Sequence, residues 1–280
     1  MYSSDNNNLH NVEIEAHQIL NLIESLDDEK LTAFFKQMDY TEEEKILYLY
    51  KRLYLTPEYD KDGKLLPVSE TDQLDAVNTD GDAIQYIKNP SEDVQLAAVK
   101  EDGFAIDYIM NKGIIPSEDV QVAAVNNKDY VIRYIKNPSE KVQLAAVNKD
   151  GNAIYYIIQK GIIPSEDVQL AAVNKDGTAI DYIIRNGIIP SEDVQLAAVN
   201  ENGNAIDYIM NKGIIPSEDV QLAAVNKDGY VIHYIIEKGI IPSEDVQWAA
   251  VNNYVLAIYQ IENPSEKVKQ LAREKGFKNV

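Results

Sequence analysis

The sequence has no cysteine, and among its 280 residues only three are histidine and one is tryptophan. The absence of cysteine excludes disulfide bonds, thiolate zinc sites and a cysteine nucleophile, and it is compatible with the reducing cytoplasm, where we expect the protein. Two of the histidines, His10 and His17, lie seven positions apart with no obvious third ligand beside them. We therefore expect neither a metal nor another cofactor.

Long apolar runs and catalytic motifs are also missing. No stretch approaches the roughly 18 consecutive apolar residues of a membrane span, and no basic segment followed by an apolar run marks a secretory signal. Glycine-rich phosphate loops and nucleophile elbows are absent as well. We expect a protein that is not an enzyme and has no catalytic residues. An enzyme would have to use residues 1–66, where His17, Tyr40 and Glu42-Glu43-Glu44 form no known pattern.

Basic residues are scarce, with 26 Lys and Arg against 46 Asp and Glu, and the net charge is -20. The acidic excess occurs in residues 1–66 and in residues 67–280 alike. Direct binding to nucleic acid requires clustered Lys and Arg, and anionic membranes repel an acidic chain. We expect no direct nucleic-acid or membrane binding and a protein partner with a basic surface. Alternatively, the acidity serves only solubility.

Two short patterns resemble calcium ligands without completing a site. In Glu58–Glu70, the residues Asp60, Asp62 and Gly63 alternate as in a calcium loop. The twelfth position, where such a loop needs a bidentate glutamate, is Ser69. We interpret this segment as a turn and the recurrent Asn-Lys-Asp-Gly sequences as helix C-caps.

The most informative feature is a repeat, exemplified by "PSEDVQLAAVNKDG" at Pro216–Gly229. We number the repeat units 1 to 8 in chain order. They begin at Ser69, Ser91, Ser117, Ser139, Ser165, Ser191, Ser217 and Ser243, and a partial unit begins at Ser265. The units are 22 or 26 residues long; short ones close with Asn-Pro and long ones with Gly-Ile-Ile-Pro. We expect the four extra residues to fall in one linker.

Each unit predicts two short helices. In unit 2, Ser91 is a natural N-cap, and the acidic residues after it suit the positive end of the helix dipole. The apolar set of Val94–Val99 covers most of the helix circumference and leaves chiefly the glutamine side for water or a polar contact. Gly103 suits a left-handed position after this helix. Gly113 should end the second helix, with Ile114-Ile115 packed under the turn.

Isolated helices of this length are marginal in water, so each unit must bury its apolar residues against its neighbours. We predict an all-α protein, namely a right-handed α-solenoid of eight two-helix repeats with a small helical N-terminal domain. The expected domains are an N-terminal cap (1–66), the repeats (67–264) and a C-terminal capping helix (265–280). That last helix has a polar outer face.

The motif of Asn-Pro-Ser-Glu-Asp-Val-Gln-Leu-Ala-Ala-Val followed by Asp-Gly-x-Ala-Ile-x-Tyr-Ile resembles the short α-helical repeats called leucine-rich repeat variants. It is also similar to bacterial and viral repeats of unknown function. The resemblance covers roughly residues 67–272 and implies a right-handed helical solenoid. It implies no iron–sulfur site, because the chain lacks the upstream cysteine cluster of those variants.

Two positions of the second helix vary between units, and binding by repeat proteins commonly uses such positions. The first variable column contains Asp82, Phe104, Tyr130, Asn152, Thr178, Asn204, Tyr230 and Leu256. The second contains Gln85, Asp107, Arg133, Tyr155, Asp181, Asp207, His233 and Tyr259. Three positions apart, the columns share one helix face. Our candidate partner-binding residues are Phe104, Asp107, Tyr130, Arg133, Tyr155, Asp181, Asp207, Tyr230, His233 and Tyr259.

Two further columns are nearly invariant between units. We expect the tyrosines at positions such as Tyr108 to be half-buried against the next unit and the glutamines at positions such as Gln95 to form a hydrogen-bonding ladder. These features together favour a non-enzymatic, acidic scaffold that binds a protein. The alternative is an anti-defence inhibitor of phage or bacterial origin, which would mimic nucleic acid and block a basic channel of a nuclease complex.

Overall fold

The computed structural model describes Lys61, Lys64 and residues 66–277. Throughout this part of the chain the regular elements are helices, and it contains no strand. The predicted all-α solenoid is therefore confirmed. The predicted N-terminal domain lies outside the described residues apart from its last positions, and so do His10, His17, Tyr40, the cluster Glu42-Glu43-Glu44 and the calcium-like residues Asp60, Asp62 and Gly63.

The first helix has ten residues in every unit. In chain order these helices are Glu70–Thr79, Glu92–Glu101, Glu118–Asn127, Glu140–Lys149, Glu166–Lys175, Glu192–Glu201, Glu218–Lys227 and Glu244–Asn253. Each begins after a serine whose hydroxyl accepts a hydrogen bond from a backbone N–H three residues on, as Ser91 does from Val94. Such a cap stabilises a helix by about 1 kcal/mol. The predicted serine caps are confirmed.

The second helix depends on unit length. Units 1, 3 and 8, with 22 residues, have only a 3-10 helix, at Gly81–Tyr86, Asp129–Arg133 and Val255–Gln260. The 26-residue units have α-helices at Ala105–Asn111, Ile154–Ile158, Ala179–Arg185, Ala205–Asn211 and Ile232–Glu237. The four extra residues follow the second helix in the long units, as expected, for example at positions 112–115 after Ala105–Asn111. They allow the second helix to complete α-helical turns before the chain returns to the next serine.

Neighbouring units pack first helix against first helix, and second helices also contact each other along most of the chain. The core between these two layers contains the same side chains in units 2 to 8. In unit 5 they are Val168, Ala172 and Val173 from the first helix and Ile180 and Ile183 from the second, all fully buried. Unit 1 has Asp72 at the place of Val168. The core is continuous from Val68 to Ala272.

A hydrogen bond between side chains links each unit to the next. The capping serine donates its hydroxyl to the first-turn glutamate of the preceding unit. We call these pairs the glutamate seam: Glu70–Ser91, Glu92–Ser117, Glu118–Ser139, Glu140–Ser165, Glu166–Ser191, Glu192–Ser217 and Glu218–Ser243. One serine thus caps its own helix and fixes the glutamate of its neighbour.

The two glycines of a long unit have different roles. Gly113 has φ of 78°, which confirms its predicted left-handed position at the end of the second helix. Gly103 is not among the positive-φ residues. A Cβ built on it would lie 2.7 Å from the carbonyl oxygen of Ala124 in the next unit. The prediction of a left-handed Gly103 is wrong, and close approach between units explains this glycine instead.

The glutamine column also differs from its prediction. Gln95 is buried, and its Nε2 donates 3.0 Å to the carbonyl oxygen of Pro90, five residues earlier. The same bond occurs in the other units, as from Gln169 to Pro164. The glutamines therefore tie the entry of each unit to its own first helix, and they form no ladder between units.

The predicted C-terminal helix is present as Glu266–Glu274. Val268 and Ala272 are buried against unit 8, whereas Lys267 and Arg273 are exposed. The last unit therefore has a cover with a charged outer face. No helix within the described residues is long and apolar enough to span a membrane.

Candidate binding surface

The variable columns lie at the start of the second helices and within them. The exposed large hydrophobic members of the columns are Tyr155, Tyr230, Leu256 and Tyr259, with exposed fractions between 39% and 68%. Arg133 and Asn204 are exposed as well. The tyrosine column beside them is half-buried and packs on the core, as predicted. The exposed rings of the variable columns therefore lie on the half-buried rings of the tyrosine column. Because this packing already restrains their rotamers, they lose little conformational entropy when a partner binds.

In units 2 and 3 the structure brings Phe104, Tyr130 and Arg133 together. The rings of Phe104 and Tyr130 meet edge to face with centroids 5.3 Å apart. The Arg133 guanidinium lies 4.6 Å from the centroid of Tyr134 and 6.0 Å from that of Tyr130. On the other side, the Lys128 ammonium lies 4.5 Å from the Phe104 centroid. Two cations of the chain itself thus sit on this aromatic cluster.

In units 4 and 5 the candidate Tyr155 lies between two members of the tyrosine column. Its centroid is 5.3 Å from that of Tyr156 and 5.3 Å from that of Tyr182. A cavity of about 380 Å³ opens beside these rings, bounded also by Tyr130, Asp129 and Asp150. The variable columns did not predict this cavity, because four of its seven lining residues, Asp129, Asp150, Tyr156 and Tyr182, lie outside the columns.

In units 7 and 8 the candidates form a third group. The ring of His233 lies between Tyr230, at 4.2 Å, and Tyr234, at 3.7 Å. Its Nδ1 is 2.7 Å from the carbonyl oxygen of Tyr230. The Tyr259 ring meets Phe277 of the C-terminal cap at 5.8 Å. Tyr230 also meets Tyr254 edge to face at 6.0 Å. The aromatic contacts of units 7 and 8 share no ring with those of units 2 to 5, so they form a separate group along the stack.

The acidic candidates are engaged in local contacts. Asp107 accepts a hydrogen bond from Asn111 at 3.2 Å, and Asp181 pairs with Arg185 at 2.8 Å. Burial raises the pKa of Tyr234, and the nearby carboxylate of Asp207 raises it further. Exposed pairs at this spacing contribute only a few tenths of a kcal/mol. A basic partner can therefore compete for these carboxylates.

Sequence reasoning missed a row of exposed isoleucines. We call Ile115, Ile163, Ile189, Ile215 and Ile241 the isoleucine row; each is between 76% and 91% exposed. The residue before each of them packs on the core, as Ile114 does. Successive side chains of an extended backbone point in opposite directions, so only the first isoleucine faces inward. The expectation that Ile115 packs under the turn is wrong.

Carboxylates border the capping serines along the opposite layer. Where a lysine replaces the usual aspartate, it pairs with the acidic residues of the preceding unit: Lys141 lies 2.9 Å from Asp119 and 3.4 Å from Glu118. The hydrogen bond from Ser139 and the charge of Lys141 hold the pKa of Glu118 below its usual value. Units 5 to 7 have no such lysine, and their Glu-Asp pairs stay exposed.

No family model matches the sequence, and no curated protein or solved structure shows significant similarity to it. The function is therefore inferred from the surface of the chain itself.

Proposed function

We propose that the protein is a non-enzymatic, acidic helical-repeat scaffold in the cytoplasm that binds a protein with a basic surface. The variable face of the second helices supplies the contact. One observation carries this proposal: the core positions are the same in units 2 to 8, whereas the exposed rings differ and gather into three clusters supported by half-buried tyrosines. Aromatic and arginine side chains on a preformed base are the usual anchors of protein interfaces.

The charge supports a basic partner. The net charge of -20 accelerates encounter with a positive surface, while the rings supply the short-range contact. The two contributions are separable by salt. At about 0.5 M salt the Debye length falls to roughly 4 Å, so exposed charge pairs are largely screened. Contacts between rings and apolar groups persist at this salt concentration.

The test is capture of partners by the full-length chain from an extract of its source organism, with identification by mass spectrometry. The double variant Tyr230→Ser and Tyr259→Ser removes the most exposed rings of units 7 and 8. The matched control, Ile189→Ser and Ile215→Ser, removes two side chains of the isoleucine row that are 80% and 78% exposed, more than the two tyrosines. We expect the tyrosine variant to capture at least tenfold less partner than the unmodified chain. The control should capture as much partner as the unmodified chain, both without added salt and at about 0.5 M salt. Retention by the tyrosine variant together with loss by the control contradicts the proposal.

The alternative, an acidic nucleic-acid mimic that blocks a nuclease complex, gains support from the Glu-Asp pairs of units 5 to 7. If stacked helices lie about 10 Å apart, one pair per unit gives roughly one charge every 5 Å. A nucleic-acid strand has one about every 3.4 Å and a duplex one about every 1.7 Å. The charge spacing of the Glu-Asp pairs is therefore closer to that of a single strand than to that of a duplex. Capture that disappears at about 0.5 M salt and survives the tyrosine substitutions favours this alternative.

A further inference from the structure

The regularity of the repeat is broken where units 3 and 4 meet. Six of the eight units have glycine at the start of the second helix, but unit 3 has Asp129. Asp129 is the first residue of the 3-10 helix Asp129–Arg133 and places a carboxylate on the variable face. The described cavity of about 380 Å³ lies at this position. A feature present once in eight near-identical units is not needed for stacking.

Tyrosine rings from three successive units form most of the cavity wall. They are Tyr130 of unit 3, Tyr155 and Tyr156 of unit 4, and Tyr182 of unit 5. The planes of Tyr155 and Tyr156 are inclined by 70°, and those of Tyr155 and Tyr182 by 55°. Rings at such angles leave part of each π face open to a ligand. The negative face of a phenol ring attracts cations.

The remaining wall consists of Asp129, Asp150 and the neutral Asn152, whose amide donates to Asp176, so the charges of this wall are negative. Two carboxylates, Asp129 and Asp150, line the cavity, and no lysine or arginine does. One oxygen of Asp150 accepts the backbone N–H of Asn152 at 2.9 Å, which leaves its other oxygen for a ligand. Within residues 66–277, Asp129 forms no ion pair. An anion is repelled here, and an uncharged apolar ligand would desolvate both carboxylates without compensation.

The neighbouring rings show which cations this surface accepts. One unit earlier, the Arg133 guanidinium lies 4.6 Å from the Tyr134 centroid and the Lys128 ammonium 4.5 Å from that of Phe104. Among the cavity rings, Tyr130 has the Arg133 guanidinium 6.0 Å from its centroid. Within the described residues, no lysine or arginine lies over the rings of Tyr155, Tyr156 and Tyr182. These three rings are therefore left for a cation from a ligand.

We infer that this cavity, the tyrosine pocket, binds the guanidinium group of an arginine side chain on the partner protein. A guanidinium is planar and stacks on a ring, and its five N–H donors reach carboxylates on two sides. A quaternary ammonium has no donor for Asp129 or Asp150. The inference deepens the proposed function, since it names the side chain of the basic partner that the variable face recognises.

The test is a calorimetric titration of the full-length chain with acetyl-Gly-Arg-Gly-amide. The matched peptide has citrulline in place of arginine, which keeps the shape and removes the charge. We expect saturable binding of the arginine peptide and at least tenfold weaker binding of the citrulline peptide. Tyr155→Leu and Asp129→Asn should each lower the affinity for the arginine peptide at least fivefold. Ile189→Ser, on the isoleucine row outside the pocket, should leave the affinity for the arginine peptide unchanged.

Equal affinity for the arginine and citrulline peptides overturns the inference, and so does equal loss of affinity in Tyr155→Leu and Ile189→Ser. Circular dichroism of each variant checks that the helices persist. The outcome is independent of the proposed function, because partner capture there is tested with Tyr230 and Tyr259, which do not line the pocket. A chain that captures its partner but does not distinguish the peptides retains the proposed function and refutes the pocket.

Discussion

Gly151→Ala lowers the free energy of unfolding by more than about 3 kcal/mol, a larger loss than most overpacking substitutions cause. The new Cβ would lie 2.4 Å from the carbonyl oxygen of Ala172 in the next unit and 3.1 Å from the backbone nitrogen of Asp176. Both atoms belong to the backbone of the helix Glu166–Lys175 and its C-cap. The other side of this helix packs against the following unit, so these atoms cannot move alone. The two units must separate, which opens the core between them.

The measurement is urea unfolding followed by circular dichroism, with Gly161→Ala as the control. Gly161 has φ of 75°, and its Cβ would meet nothing within 4 Å. Its substitution therefore adds only backbone strain, about 1–2 kcal/mol for a left-handed residue. A cost for Gly151→Ala equal to or below that for Gly161→Ala contradicts the close approach between units.

Ile183→Ala lowers the free energy of unfolding by about 4 kcal/mol. Ile183 is fully buried between the two helix layers of unit 5. Truncation of this side chain leaves a cavity between helices that are held in place by the neighbouring units. Isoleucine-to-alanine substitutions at such sites lower the free energy of unfolding by about 2–5 kcal/mol. The midpoint of urea unfolding, with an unchanged slope, measures the loss.

Ile189→Ala is the matched control in the same unit. Ile189 belongs to the isoleucine row and is 80% exposed. Truncation of an exposed side chain changes stability by less than about 0.5 kcal/mol. Similar losses at Ile183 and Ile189 would show that the second isoleucine of the linker packs inward, contrary to the structure.

The elements within one unit were largely predictable from the sequence. Ser91 and Gly113 have local signals, because a capping hydroxyl and a left-handed glycine act on the nearest backbone groups. Gly103 has no local reason to be glycine; the reason is a carbonyl oxygen in the next unit. The 3-10 geometry of units 1, 3 and 8 was missed because linker length, not helix propensity, sets it.

The candidate site was predictable only in part. The variable columns identified Phe104, Tyr130 and Arg133, and these side chains do meet. The cavity beside Tyr155 was not predictable, since Tyr156 and Tyr182 belong to a column assigned to packing. The isoleucine row was missed because alternation along an extended linker becomes visible only once the chain path is known.

The units of the stack are equivalent modules, each stabilised by its neighbours. Deletion of residues 165–190 tests this modularity, because it removes unit 5 and joins Pro164 to Ser191, which recreates the natural Pro-Ser junction. We predict a helical protein with one cooperative urea transition at a lower midpoint. Deletion of residues 165–177 alone, which removes only the first helix and its following turn, should abolish that transition. Loss of folding in the first variant, or equal tolerance of both deletions, would contradict the modular stack.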